Sequence, residues 1–149
     1  MSAEDSYLVY TDGSCWTKDK IGSWAWIAID SGGHEEIHGD WEPDTTISRM
    51  ELRAVLEALE TIYDMSGPSI ILVNSDSQYV VMGANDRTRN RNKNNDLWDM
   101  LDFAIDSHHL VVLEHVKGHD GNHYNEIIDR LAGQLRKKGQ NVFHKSQCA

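Results

Sequence analysis

Two apolar runs that each stop at an aspartate constrain this chain more than any other feature. Tyr7-Leu8-Val9-Tyr10-Thr11-Asp12-Gly13-Ser14 reads as a strand of β-favouring residues that meets an acid and then a tight turn. Ile70-Ile71-Leu72-Val73-Asn74-Ser75-Asp76-Ser77 repeats the pattern. In an open α/β sheet the carboxyl ends of the strands form the edge at which ligands bind. Set side by side, these two strands would bring Asp12 and Asp76 together at that edge.

The segments around them supply the rest of a sheet and its cover. Ser23 to Asp30 and Glu35 to Trp41 read as two further strands, with Ser31-Gly32-Gly33 as the hairpin signal between them. The first three strands therefore form an antiparallel meander. Ser48-Arg49-Met50-Glu51 has the form of a capping box, followed at helical spacing by Leu52, Val55, Leu56, Leu59 and Ile62. Ser66-Gly67-Pro68 stops that helix before the strand that ends at Asp76. A strand–helix–strand passage of this kind predicts parallel pairing through a right-handed crossover.

Beyond Asp76, Ser77 to Met82 begins a short helix, and Asn85 to Asn95 is a polar, basic loop without an apolar residue. A helix restarts at Asp96 with Leu97, Trp98, Leu101 and Ala104 on one face, and Leu110 to Val116 is a fifth strand. Lys117-Gly118-His119-Asp120-Gly121-Asn122 is a glycine-punctuated loop. A last helix is expected over Tyr124 to Lys138, with Gly139 as its C-cap and Asn141 to Ala149 as a loose tail.

With 149 residues, one domain spanning the chain is expected, its core over about residues 7–139. The formal net charge of −10 argues against a general nucleic-acid coat protein, which would be basic. Positive charge gathers in Arg87 to Lys93 and in Arg130 to Lys138. The first residues are acidic and lack an apolar signal region, and the apolar runs are far too short for a membrane span. Cys15 and Cys148 show no metal-binding spacing. A reduced, cytoplasmic, monomeric protein without membrane contact is the expectation.

Glu51 near the start of the first helix and Asp129 early in the last one could join Asp12 and Asp76. Singly, an acid at a strand end or helix start is more often a cap or a turn former. Four carboxylates from four segments are another matter, because packed together they could not all stay ionised without a counter-charge. Divalent cations resolve this, and all-oxygen ligation favours Mg²⁺ or Mn²⁺ over zinc. Two such ions about 4 Å apart can clamp the attacking and leaving oxygens of a phosphoryl displacement. His119, between two glycines in a loop leading to a carboxylate-bearing helix, suits proton shuttling there; a solvated loop histidine is the plainer alternative.

Thr11-Asp12-Gly13-Ser14-Cys15, Arg49-Met50-Glu51-Leu52, Ser75-Asp76-Ser77-Gln78-Tyr79-Val80 and Val116-Lys117-Gly118-His119, with Asn125-Glu126 and Asp129 after them, resemble the type 1 ribonuclease H family. The motifs occur in the family's order over nearly the whole chain. The resemblance implies an α/β ribonuclease H-like fold, a five-stranded mixed sheet with three antiparallel strands then two parallel, flanked by helices. It implies endonucleolytic hydrolysis of the RNA strand of an RNA–DNA hybrid by a two-metal-ion mechanism, with Mg²⁺ or Mn²⁺, leaving 5′-phosphate and 3′-hydroxyl ends. Asp12, Glu51, Asp76 and Asp129 match the metal-binding carboxylates, and His119 matches a mobile histidine that aids proton transfer or product release. Gln78 matches a position that reads the minor groove of the hybrid. Gly13, Ser14 and Cys15 could approach the 2′-hydroxyls that distinguish RNA from DNA. Thr46, Arg49, Arg87, Arg89, Arg91 and Lys93 complete the candidate substrate contacts.

The chain departs from the family's pattern at three places. Trp16-Thr17-Lys18-Asp19-Lys20 stands where a Gly/Pro-rich loop with an asparagine is usual, and Ile47 and Ser48 stand where paired asparagines are common. The basic protrusion is reduced to about Asn85 to Asn95 and has no aromatic residue. Two competing readings are a DNA-directed nuclease of the same fold and a non-catalytic hybrid-binding module.

Overall fold

The computed structural model describes residues 5–88, 91–117 and 122–147. Its five strands are β1 (Ser6–Trp16), β2 (Ile21–Asp30), β3 (Glu35–Glu42), β4 (Ile70–Ser75) and β5 (Leu110–His115). The helices are α1 (Ile47–Ser66), α2 (Gln78–Asn85), α3 (Asn95–Ser107) and α4 (His123–Gln147). The sheet order is β3-β2-β1-β4-β5. The pairs β1–β2 and β2–β3 are antiparallel, and β4 runs parallel to both β1 and β5, as the mixed-sheet expectation holds.

Alternation along β1 divides the core in two. Val9 packs with Leu52, Val55, Leu56, Leu59 and Ile62 of α1 and with Trp98 and Leu101 of α3. Tyr10, two strand neighbours and the α4 residues Ile128 and Ala132 form the smaller cluster on the opposite face. Successive side chains on a strand point to opposite faces, so Asp12 shares the α4 face with Tyr10 while Gly13 shares the α1 face with Val9.

Three boundaries differ from expectation. The turn expected at Gly13 is absent, because Gly13, Ser14 and Cys15 continue the ladder opposite Trp24, Ser23 and Gly22. The N-cap of α1 is Thr46 rather than Ser48: its backbone is extended (φ −134°) and its hydroxyl accepts from the Arg49 N–H at 3.3 Å. Glu51 is thereby moved to the start of the second turn. Gly139 does not end α4, which runs on to Gln147. A Cβ on Gly139 would stand 2.5 Å from the Trp41 ring, so this glycine serves close helix–strand packing. The next residue, Gln140, is buried and donates to Asp19 at 2.9 Å, and His144, within the expected tail, meets the same carboxylate at 3.3 Å.

Candidate active site

The parallel register of β1 and β4 ends at Thr11 opposite Ser75. Asp12 follows Thr11 within β1 and Asp76 follows Ser75 just past the end of β4, so two central strands deliver them to one edge of the sheet. Gly13 brings the third acid in. A Cβ at that position would lie 2.6 Å from the Glu51 backbone nitrogen, so only glycine lets α1 cross β1 this closely. Asn122 supplies the fourth, because its side chain caps α4 by accepting from the Asn125 N–H at 3.0 Å and donates to the Tyr10 hydroxyl at 3.3 Å. With α4 tied to β1 in this way, Asp129 reaches the Asp12 carboxyl.

The electrostatics are those of crowded acids. Burial pushes the Asp12 carboxyl up to about 9, reinforced by repulsion from Asp76 and by a shared hydrogen bond with Asp129; the Gly13 N–H, 2.9 Å from Oδ1, works against the rise. Burial also raises Glu51, opposed by a hydrogen bond from Ser77 and assisted by the Asp76 charge. Ser77 has a second task, capping α2 by accepting from the Val80 N–H at 3.3 Å. Among the described residues no three carboxylate, imidazole or thiol groups are closed into a cluster of metal-ligand dimensions. The acids form a looser, mutually repelling group whose all-oxygen donors suit a hard divalent cation.

The remaining sequence-derived candidates fall into three groups. Ser14 and Cys15 follow Asp12 along β1, Thr46 caps α1, and Gln78 is exposed at the first residue of α2. Arg49, Arg87 and Arg91 are engaged within the protein. Arg49 grips Asp96 with both terminal nitrogens at 3.0 and 2.8 Å, holding that carboxyl down to about 2. Arg87 grips Asp106 with both terminal nitrogens at 3.1 and 2.7 Å, which lowers that carboxyl. Arg91 binds Asp102, donates to the Gly83 carbonyl and stacks over Trp98. Lys93 forms no ion pair among the described residues and lines a small cavity of about 230 Å³ with Ser48, Tyr79 and Asn94. His119 and Arg89 lie outside the described residues.

Arg136 was not among the sequence candidates. Its Nε donates to the Ser14 hydroxyl at 2.9 Å, beside the acidic edge. The available signal was its spacing, since it follows Asp129 by seven residues and therefore shares that residue's side of the helix.

A family model described as RNase H matches residues 4–137. A protein named ribonuclease H from Thiobacillus denitrificans is 38% identical over 142 residues, covering 87% of this chain and 93% of that one. One named ribonuclease HI from Caulobacter vibrioides is 37% identical over 148 residues, covering 91% and 96%. The crystal structure of LC9-RNase H1, described as a type 1 RNase H with the type 2 active-site motif, superposes with a TM-score of 0.79 at 25% identity. It covers 93% of this chain and 75% of that chain.

Proposed function

The chain belongs to the ribonuclease H family, and from that premise we propose that it hydrolyses the RNA strand of RNA–DNA hybrids at the edge where Asp12, Glu51, Asp76 and Asp129 meet. The observation that carries this reading is the paired delivery of Asp12 and Asp76 by adjacent parallel strands, with Asp12 pushed up to about 9 by burial and by its acidic neighbours. A protein does not crowd acids in this way without a cation or a proton to compensate them.

The donor set fits Mg²⁺, with Mn²⁺ as a substitute, held by the four carboxylates. Bound there, two such ions supply Lewis-acid stabilisation of the phosphorane-like transition state and a nucleophilic water at neutral pH. The chain's own residues do the rest. Gly13 lets α1 approach β1 closely at Glu51, whose carboxyl feels the Asp76 charge, and Ser77 hydrogen-bonds that carboxyl. Water attacks phosphorus, the bond to the 3′-oxygen breaks, and the products carry a 5′-phosphate and a 3′-hydroxyl. His119 carries a proton to or from the reacting oxygens or speeds release of product. Gln78 and the Gly13–Cys15 segment face the minor groove, where 2′-hydroxyls mark the RNA strand.

The test is incubation of end-labelled RNA–DNA hybrid, RNA duplex and DNA duplex with the purified protein, with Mg²⁺ and with EDTA. Mg²⁺-dependent cleavage confined to the RNA of the hybrid is expected. Cleavage of DNA duplex would favour a DNA-directed nuclease, and hybrid binding without cleavage would favour a binding module.

A further inference from the structure

We infer that the groove between the C-terminal halves of α1 and α3 is a docking site for a basic, amphipathic segment of a partner protein. The groove has a volume of about 340 Å³ and is bordered by Leu59, Glu60 and Tyr63 of α1 and by Phe103 and Ala104 of α3. Its floor is finished core: Leu59 is fully buried, and His108 is fixed beneath it, accepting from the Ser69 N–H and donating to the Leu59 carbonyl. Its rim is the opposite. Phe103 is 77% exposed and Tyr63 is 45% exposed, which leaves two aromatic faces in water beside a ready-made cavity. Contiguous exposed apolar surface of this kind marks an interaction site.

Charge identifies the occupant. The ionisable carboxylates lining the groove are Glu60 and Asp64, and neither forms an ion pair with a Lys or Arg among the described residues. The nearby cations are committed elsewhere, Arg53 to Glu57 and Glu42, and Arg87 to Asp102 and Asp106. Burial raises the Glu60 carboxyl, repulsion from Glu57 and Asp64 adds to the rise, and the Arg53 charge offsets only part of it, so an arriving cation would relieve the remaining field. Nucleic acid is excluded from such a rim by its phosphates. A second copy of a chain with net charge −10 is opposed by like-charge repulsion. An apolar side chain that fills the cavity, flanked by Lys or Arg over Glu60 and Asp64, satisfies both features.

The groove also lies away from the acidic edge. Asp64 follows Glu51 by thirteen residues along α1, about 20 Å at the helical rise. Docking there would leave the hybrid-binding edge open, so a partner could tether the enzyme to its substrate without competing for it.

The test uses the full chain, labelled with ¹⁵N, and three synthetic helical peptides of about sixteen residues. One carries a Leu/Phe face flanked by Lys and Arg, the second replaces its basic residues with Glu, and the third replaces its apolar residues with Ser. The first is expected to shift amides over residues 59–64 and 103–108. Phe103→Ser, and separately Glu60→Lys with Asp64→Lys, should each weaken it at least tenfold while hybrid cleavage stays unchanged. Equal binding of the second or third peptide, shifts scattered over the acidic surface, or unchanged affinity in both variants would overturn the proposal. So would a concentration-dependent dimer of the parent that Phe103→Ser abolishes, since a second copy would then be the occupant. Because the readout is binding, its failure is distinct from any failure of the ribonuclease reading.

Discussion

Arg91 Nη1 lies 2.6 Å from Asp102 Oδ2, and the same guanidinium sits 4.3 Å from the centre of the Trp98 ring. A loop that is basic in sequence is therefore partly neutral in the fold. Arg91 and Arg87 turn back onto α3, and Arg49 of α1 grips the first turn of that helix through Asp96. Gly83 completes the arrangement, since a Cβ there would stand 2.3 Å from the Trp98 ring. The described part of the segment between α2 and α3 is thus a clasp that holds Trp98 against the core, with Arg87 and Arg91 committed to α3 and Lys93 left over for phosphates.

Arg91 and Lys93 should then behave differently when replaced by Ser. Arg91 is largely buried, and removing it leaves Asp102 without its closest partner. Arg91→Ser should cost about 2–3 kcal/mol, somewhat below the loss typical of breaking a fully buried pair, with little change in KM. Lys93→Ser should leave urea unfolding unchanged and reduce the salt dependence of hybrid affinity by a slope of about 0.7 to 0.9, the release of one counterion. Urea titrations and cleavage across a salt series separate the two. An Arg91→Ser protein that unfolds like the parent but binds hybrid poorly would return that arginine to the substrate interface.

Most of the sheet was readable because its strands are short apolar runs punctuated by glycine and acids, and because α1 shows its buried stripe at helical spacing. The juxtaposition of Asp12 and Asp76 followed from register alone. What could not be read was local competition. Thr46 and Ser48 are both good N-caps, and only the extended backbone at Thr46 decides between them. Gly139 looks like a helix stop until Trp41 is seen packed against it. Arg87 and Arg91 look available until the acids of α3, eleven to nineteen residues further on, are folded back beside them.

Asp12→Asn should remove nearly all cleavage while sparing the fold. A carboxyl whose folded pKa lies above its unfolded one keeps its proton more firmly when folded. Its stabilising contribution is complete below the ordinary value of 3.8 and is lost as pH rises through about 9. In EDTA the parent should therefore lose stability over that interval faster than Asp12→Asn, which has no proton to lose. Melting temperatures of the two should converge near pH 4 and separate toward pH 8, the variant being higher. Parallel curves would show that Asp12 is not repelled by its neighbours, and near-normal cleavage by the variant would remove it from the site.

His119→Ala should slow turnover without abolishing it. A proton-transfer or release role contributes a factor of about 10² to 10⁴ at most, and bulk water can substitute in part. The measurement is kcat at saturating hybrid, together with a single-turnover rate to separate chemistry from release. An unchanged kcat would make His119 a bystander.

Arg136 offers the sharpest test of how the β1 end meets its substrate. A guanidinium only donates, so the 2.9 Å contact from Nε occupies a lone pair of the Ser14 hydroxyl and leaves its hydrogen free to donate elsewhere. Ser14 is on the same face of β1 as Asp12 and two residues beyond it, about 6.8 Å along the strand. A hybrid held at Asp12 would pass that hydroxyl, which is then oriented to donate to a ribose or phosphate oxygen. The helix is itself braced, with Gln140 and His144 both meeting Asp19 of the β1–β2 turn. Arg136→Met keeps the length of the side chain and removes the donor, while Arg136→Lys keeps a donor without the fixed fork. Arg136→Met should raise KM about threefold to tenfold, the effect of losing about 1 kcal/mol of hydrogen bonding, with kcat nearly unchanged. Arg136→Lys should recover part of the loss, and Ser14→Ala should reproduce Arg136→Met without adding to it in the double variant. Additive losses in Ser14→Ala with Arg136→Met would show two independent contacts, and a lowered melting temperature with unaltered KM would show a purely structural bond.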